Sequence, residues 1–474
     1  MTALALTKRP QETLGPLERL EVLCDPGTLQ VIRSQVTSRH MGAKTRAGDG
    51  VVAGAGMVGG RPVFCYAQDP SYVGGSLGEA HADTIVRVMR QAGRAQAPVV
   101  GFVSSGGARM QEGSGGLGGY GRIFRETVQL SGKVPQISVI TGLSAGGGAY
   151  SPALTDWVVM TRDSSVFLTG PNVVRDALGE QVTAEQLGGT RVHQRNGVCH
   201  FVADGDVDGA HLARELIGYL SPGPAPVRPA ADSDPGAHVP LEARRVYDVR
   251  DVIRCLVDGG ALLEVAAGWA RSIVTGFARV EGRAVGVIAN QPKYLGGVLD
   301  ADSSQKGARF VHKCNQFGIP LLVLVDTPGY MPGTKQEAAG VIRFGATLVH
   351  AFAEAAVPRV TVILRKAFGG AFITMNSKDL GADYVFAWPQ AQIGVMGAKP
   401  AVGIIHRREL ATADDPDATR ERLATEYADS HLRPEVAACE GHIDELIEPI
   451  ETRERVAGAL ATLAGDTVRG AAVA

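Results

Sequence analysis

The sequence is poor in charge and in rings: 20% of its 474 residues are charged, 5% are aromatic, and the 47 Lys and Arg nearly cancel the 49 Asp and Glu for a formal net charge of −2. Without a basic excess there is no broad surface for nucleic acid or anionic membrane, since either would need cations to displace counterions or to meet lipid headgroups. Room remains for one local phosphate site. The six cysteines (Cys24, Cys65, Cys199, Cys255, Cys314, Cys439) form no C-x-x-C pair and no zinc spacing, which argues against a disulfide scaffold or structural zinc. Met1 to Pro10 has no apolar run of the kind that a secretory signal needs. The longest uncharged stretch, between Lys133 and Asp156, contains Gln136, two prolines and a glycine cluster. It reads as a buried strand and turn, not a membrane span. A cytoplasmic location with reduced thiols follows as the expectation, with no metal, because His81, His193, His200, His312 and His350 lack ligand spacing and read as structural.

Glycine is what the chain has in excess: 61 residues, about 13% against an average near 7%. Part of that excess is repeated. Aligning the segment from Gly54 with the segment from Gly276 at constant spacing brings Gly60 onto Gly282, Arg61 onto Arg283, Pro70 onto Pro292, Tyr72 onto Tyr294 and Gly74-Gly75 onto Gly296-Gly297. Farther on, Val134 to Ile140 answers Val357 to Ile363, and Gly146-Gly147 answers Gly369-Gly370. The chain therefore reads as an internal duplication, with domains over 1–225 and 237–474 joined by a Pro- and Gly-rich linker from Ser221 to Gly236. Val99–Val103, Ile137–Ile140, Leu321–Val325 and Val360–Leu364 are apolar throughout, as strands buried on both faces are. Charged helical segments close each half near Asp208 to Tyr219 and from Asp417 onward. The fold class expected is α/β.

Two motifs invite misreading. Gly54-Ala55-Gly56-Met57-Val58-Gly59 matches the dinucleotide fingerprint, but Gly60-Arg61-Pro62 and a strand-like run follow it where a helix should begin, so it reads as a hairpin. Gly142-Leu143-Ser144-Ala145-Gly146 matches a hydrolase nucleophile elbow. The repeat, however, places Ala367 at the position of Ser144 and keeps the glycines after it, so the shared feature is backbone. Glycines between a strand and a helix let amide N–H groups face a ligand, and two amides aimed at one oxygen form an oxyanion hole. Further glycine turns at Ser105-Gly106-Gly107-Ala108-Arg109 and Asp326-Thr327-Pro328-Gly329-Tyr330 read equally as ligand loops or as strand exits.

At these residues the sequence resembles the carboxyltransferase (β) subunits of biotin-dependent acyl-CoA carboxylases. The resemblance runs from about Arg19 to about Arg453. It rests on Gly74 to Glu79, SSGGARMQEG from Ser104, AGGGAYSPALTD from Ala145, LTGPNVV from Leu168, ANQP from Ala289, and FGGAF with MNSK from Phe368.

The resemblance implies a crotonase-like (ClpP/crotonase spiral) fold in each half, the first binding acyl-CoA and the second the carboxybiotin of a biotinylated α subunit. Biotin would not be attached to this chain, which shows neither a biotinyl Met-Lys-Met segment nor an ATP-grasp region. Amides around Gly146, Gly147 and Gly148 would hold the thioester enolate, and those of Gly370 and Ala371 the ureido oxygen. Gly106, Gly107, Ala108, Arg109, Tyr150, Phe372 and Ile373 would meet the substrate, and Gly369 and Gly329 the biotin. Tyr150 and Phe372 also read as packing groups. The implied assembly is a hexamer of two three-membered rings. The implied reaction transfers CO2 to acetyl-CoA, propionyl-CoA or both, giving malonyl-CoA or methylmalonyl-CoA. Ile373 stands where propionyl-selective members carry Asp, Asn172 replaces a usual Asp, and Thr84 closes a stretch in which Lys is common. Two alternatives stay open: a biotin-dependent decarboxylase running in reverse, and an idle subunit that only assembles a partner complex.

Overall fold

A computed structural model describes residues 13–470 apart from 222, 224, 231, 232 and 243; the Met1–Pro10 segment lies outside the described residues. The chain divides into two compact units, Met1–Ser221 and Pro222–Ala474.

Strands of the first unit are β1 (Gln30–Ile32), β2 (Val51–Val58), β3 (Arg61–Gln68), β4 (Val99–Ser105), β5 (Gln136–Ala145), β6 (Trp157–Thr161), β7 (Ser165–Phe167) and β8 (Phe201–Ala203). They form one sheet in the order β1-β2-β3-β4-β5-β6-β8, with β7 also paired to β5. The second unit repeats that order with β9 (Leu263–Glu264), β10 (Ile273–Val280), β11 (Arg283–Asn290), β12 (Leu321–Thr327), β13 (Arg359–Phe368), β14 (Tyr384–Ala387), β15 (Gln392–Gly394) and β16 (Glu445–Leu446), β15 pairing with β13. In each unit the first three strands are antiparallel and the rest parallel. All seven residues of β4 and all seven of β12 are buried, because helices on both faces of a parallel sheet leave no solvent side.

The helices that matter for the site are α1 (Glu79–Ala95), α2 (Ser114–Leu130), α3 (Gly147–Ala153), α4 (Ala301–Gln316), α5 (Val341–Glu354) and α6 (Gly369–Thr374). The closing segment from Asp417 is not one helical run. Pro434 starts a new short helix, and β16 joins the sheet edge before the last helix, Thr452–Gly470. The proline-rich segment after Ser221 is also less free than its composition suggests. Ala225 N–H donates to Gly282 O at 3.0 Å, and Pro229 O accepts from Gly259 N–H at 2.9 Å, so this stretch lines the second unit.

Glycine in the fingerprint-like segment serves close packing. Gly54 and Gly56 lie inside β2, where an added Cβ would come within 2.3 Å of Gln30 O and 2.5 Å of Cys24 Sγ. Gly59 and Gly60 turn the β2–β3 hairpin, so no helix follows that could receive a pyrophosphate. Among the described residues no helix is long and apolar enough to cross a membrane.

Candidate active site

In a parallel sheet the strand ends and the helices that follow them carry free amides at one edge. In both units the central strand ends in a glycine. Gly146, after β5, and Gly369, after β13, have φ of 58° and 59°, a region that an L side chain rarely adopts. The short helices α3 and α6 start there, so their first amides have no acceptor within the helix. Gly146 N–H, however, donates to Phe167 O at 3.1 Å. That bond removes it as a ligand donor and leaves Gly147 and Gly148. Gly147 is half-buried and Gly148 buried; in the second unit Gly370 is exposed and Ala371 wholly buried. In each unit an accessible glycine, Gly147 or Gly370, is thus followed by a buried residue.

Hydroxyls lock these loops from inside. Ser144 is fully buried and donates to Gly148 O at 3.0 Å, which accounts for the nucleophile-like motif without any nucleophile. Thr374 does the matching work in the second unit, donating to Gly370 O at 2.8 Å, and Tyr330 OH donates to Thr374 Oγ1 at 3.1 Å. Tyr120, from α2, lies against Gly147, where a Cβ would meet its ring at 2.6 Å, and its hydroxyl bonds Ser105 Oγ at 3.0 Å. Burial pushes the Tyr120 phenol up to about 12, so it is no general base near neutrality. Sequence reasoning missed Tyr120 and Thr374 as loop supports; only the motif around Tyr330 was in view.

The second glycine turns are framed identically. Gly107 N–H donates to Ser105 Oγ and Gly329 N–H to Thr327 Oγ1, each at 3.3 Å. Gly107 O accepts from Leu77 N–H at 2.8 Å, and Gly329 O from Leu299 N–H at 3.1 Å. Gly106 N–H is also used, donating to Gly74 O at 2.9 Å. Ala108 is half-buried in a bridge with Leu77. These turns hold the site's frame through their main chain. The Arg109 side chain corrects its expected role as a substrate contact: it is 0% exposed. Its Nη1 reaches Asp49 at 2.5 Å and Glu112 at 2.8 Å, and its Nη2 donates to Ser76 O at 3.0 Å. It is an interior strut. Beside it, His81 is wholly buried and held to about 3 by loss of solvation.

The groups after the open amides are accessible. Tyr150 is 53% and Ile373 50% exposed, with Tyr150 edge-on to Phe124 at 6.3 Å between ring centroids. Two cavities in the second unit share Gly370 and Ile373. One of about 600 Å³ lies under Tyr330, Val341 and Gly345, and one of about 640 Å³ is lined by Gly369, Phe372, Ile393 and Tyr427. Among the described residues no group of three His, Cys, Asp or Glu is gathered to hold a metal ion. Asn172 is exposed in a helix beginning at Pro171, and nothing in the structure explains its replacing an acid.

Comparisons with known proteins agree with one another. The chain is 47% identical to the propionyl-CoA carboxylase beta chain of Saccharopolyspora erythraea, over 94% of this chain and 87% of that one. It is 44% identical to the biotin-dependent acetyl-/propionyl-coenzyme A carboxylase beta5 subunit of Mycobacterium tuberculosis, over 97% and 91%. The crystal structure of transcarboxylase 12S, described as a hexamer with methylmalonyl-coenzyme A bound, superposes with a TM-score of 0.92 at 44% identity, covering 96% of this chain and 90% of that one. Residues 7–470 match the family described as the carboxyl transferase domain, and with that match over nearly its whole length the chain belongs to that family.

Proposed function

We propose that this chain is the carboxyltransferase subunit of an acyl-CoA carboxylase, transferring CO2 from carboxybiotin on a partner subunit to the α carbon of acetyl-CoA, propionyl-CoA or both. The observation that carries this reading is the pair of accessible glycines in the first turns of two short helices, Gly147 and Gly370, at equivalent strand ends of two units with the same sheet order. A reaction joining two carbonyl-bearing reactants needs one such donor set for each. In this reading both units are crotonase-like products of one duplication, acyl-CoA meets the first, and carboxybiotin meets the second. The family's hexameric assembly and a cytoplasmic location belong to the same proposal.

Gly147, with Gly148 behind it, stabilises the thioester oxygen as negative charge develops there, and fixed donors at such a position contribute more than any side chain could add by moving. The hydroxyls beside Gly148 do not serve as bases, because Ser144 is committed to Gly148 O and Tyr120 to Ser105. In the second unit the exposed Gly370 amide sits beside a largely apolar cavity of about 600 Å³, a fit for a compact ring system with one polar oxygen. When bound, carboxybiotin supplies the CO2 and a ureido nitrogen able to take the α-proton. Ile373 lines both cavities of the second unit, where in this reading the α carbon of the acyl group must reach the carboxybiotin, and its apolar side chain accepts a short acyl chain without selecting for propionyl.

The test is to incubate the purified protein with malonyl-CoA and free biotin. Biotin-dependent loss of malonyl-CoA is expected. No turnover with any short acyl-CoA, even with a biotinylated partner, ATP and bicarbonate, would overturn the reading. Ile373→Asp is expected to shift the kcat/KM ratio toward propionyl-CoA by roughly tenfold, the scale of one altered pocket contact; an unchanged ratio would remove Ile373 from the acyl pocket.

A further inference from the structure

Between the two central strands of each unit the register breaks just before the glycine turn. In the first unit Val103 pairs with Ile140 and Ser105 with Ser144, so Thr141, Gly142 and Leu143 all stand opposite Ser104. In the second unit Val325 pairs with Ile363 and Thr327 with Ala367, so Leu364, Arg365 and Lys366 stand opposite Asp326. A bulge of this kind bends the longer strand and re-aims the chain beyond it. Beyond the bulge of β13 lie Gly369, with its φ of 59°, and then Gly370.

That bulge is fastened from the neighbouring strand. The wholly buried Asp326 carboxylate accepts from Lys366 N–H through Oδ1 at 3.2 Å and from Arg365 Nε through Oδ2 at 3.0 Å. The N–H of Asp326 donates to Asn290 Oδ1 at 3.3 Å, so the carboxylate is itself held against β11. Arg365 is 3% exposed, and its Nη1 donates to Pro240 O, Glu242 O and Arg245 O at 3.2, 3.0 and 2.9 Å. The Tyr247 ring packs on the guanidinium at 5.2 Å. The extra residues of β13 are thus tied both to β12 and to the segment before Tyr247. A buried ion pair is a poor source of net stability, because desolvating both charges offsets much of their attraction. Its directional, charge-assisted bonds are what an apolar filler of the same size lacks.

We propose that Asp326 and Arg365 are positioning residues for the second glycine turn: the close-contact glycines let the turn form, and the ion pair sets where Gly370 stands. This rests on the reading above, in which Gly370 meets the ureido oxygen. The pair then acts on the biotin side of the reaction and not on the acyl-CoA side. The test uses the full-length protein and biotin-dependent loss of malonyl-CoA, with each substrate varied in turn. Arg365→Lys keeps the cation but loses the planar fork. It is expected to lower kcat/KM for biotin roughly 10–100-fold, the scale of a displaced contact, with KM for malonyl-CoA held within about twofold. The double variant Asp326→Leu/Arg365→Met should regain stability in urea and yet keep the low kcat/KM for biotin. Its crystal structure should show Gly370 displaced and Gly147 unmoved. Recovery of kcat/KM for biotin together with stability would make the pair structural only and overturn the proposal. Equal losses toward both substrates, or an unmoved Gly370 in the double variant, would overturn it as well. Should the unaltered protein show no biotin-dependent turnover, the carboxyltransferase reading fails, while the place of Gly370 in the double variant still decides the positioning role.

Discussion

Compared residue by residue, the two units share a backbone and differ in what fills it. Gly75 and Gly297 each lie where a Cβ would strike the carbonyl of the next strand's end, Ser104 O at 2.1 Å and Asp326 O at 2.5 Å. Gln68 and Asn290 accept from the amides of those same residues, at 3.1 and 3.3 Å. Yet behind the amide loop the first unit has Ser104 against Gly142, where a Cβ would sit 2.6 Å from the serine hydroxyl, while the second has Asp326 paired with Arg365 at 3.0 Å, both buried. Arg365 further donates to the carbonyls of Pro240, Glu242 and Arg245. Thr84 of α1 answers to Lys306 of α4, whose ammonium donates to Trp269 O and Ile273 O at 2.9 Å each. An amide-based site is a main-chain property. It survives exchange of the surrounding side chains as long as the close-contact glycines stay.

The sharpest way to break the comparison is to strip the second unit of its ion pair. Arg365→Met leaves buried Asp326 with only Lys366, at 3.9 Å, as a cation, and is expected to lower stability by about 3 kcal/mol in urea unfolding. Adding Asp326→Leu should recover most of that loss. Ser104→Ala, which strands no charge, is expected to cost under about 1 kcal/mol. A loss below about 1 kcal/mol for Arg365→Met would show that the pair contributes no more than its neutral counterpart.

Next in size is the pair of open glycines. Gly147→Ala drives a Cβ to 2.6 Å from the Tyr120 ring, while at Gly370 the nearest group, Tyr330, is 4.0 Å away. Gly147→Ala is expected to reduce turnover roughly 10²–10³-fold by displacing the proposed oxyanion donors. Gly370→Ala should leave the melting temperature unchanged and lower turnover by about tenfold or less. Equal losses would mean that Tyr120 does not set the position of Gly147.

Lys306 offers a titration that Thr84 lacks. Burial pulls its pKa from near 10.5 to about 8. Below pH 8 both folded and unfolded chains carry the proton, and the burial penalty is constant. Between 8 and 10.5 the unfolded chain holds the proton longer, so this group makes stability rise with pH, by at most about 1.4 kcal/mol per unit. The urea midpoint of Lys306→Met, measured from pH 7.5 to 10, should lose that upward contribution relative to the unaltered protein; parallel curves would refute it. A small effect is also expected of Ser144→Ala. It should cost about 1 kcal/mol through its bond to Gly148 O and leave turnover within a few-fold, and abolished activity would reinstate the serine as a nucleophile.

Much of the fold was legible because the matching segments of the two halves stand in the same linear order. The buried runs at β4, β5, β12 and β13, the hairpin at Gly59-Gly60 and the glycine turns after each central strand all follow from local pattern and from spacing within the chain. Less visible was which amides are open. Gly146 is taken by Phe167, a partner 21 residues away on β7, and no local signal announces that. Arg109 has the residue type of a ligand contact, but its burial depends on Asp49, 60 positions earlier, and on Glu112. The same holds for Tyr120 over Gly147.

By itself, then, the sequence determined two α/β halves with a glycine turn at matching places, since strand burial and positive φ depend on nearest neighbours and residue type. Tertiary structure alone decided which amides are already taken and which side chains brace the glycine turns, because hydrogen-bond satisfaction and burial are settled between segments far apart in the chain.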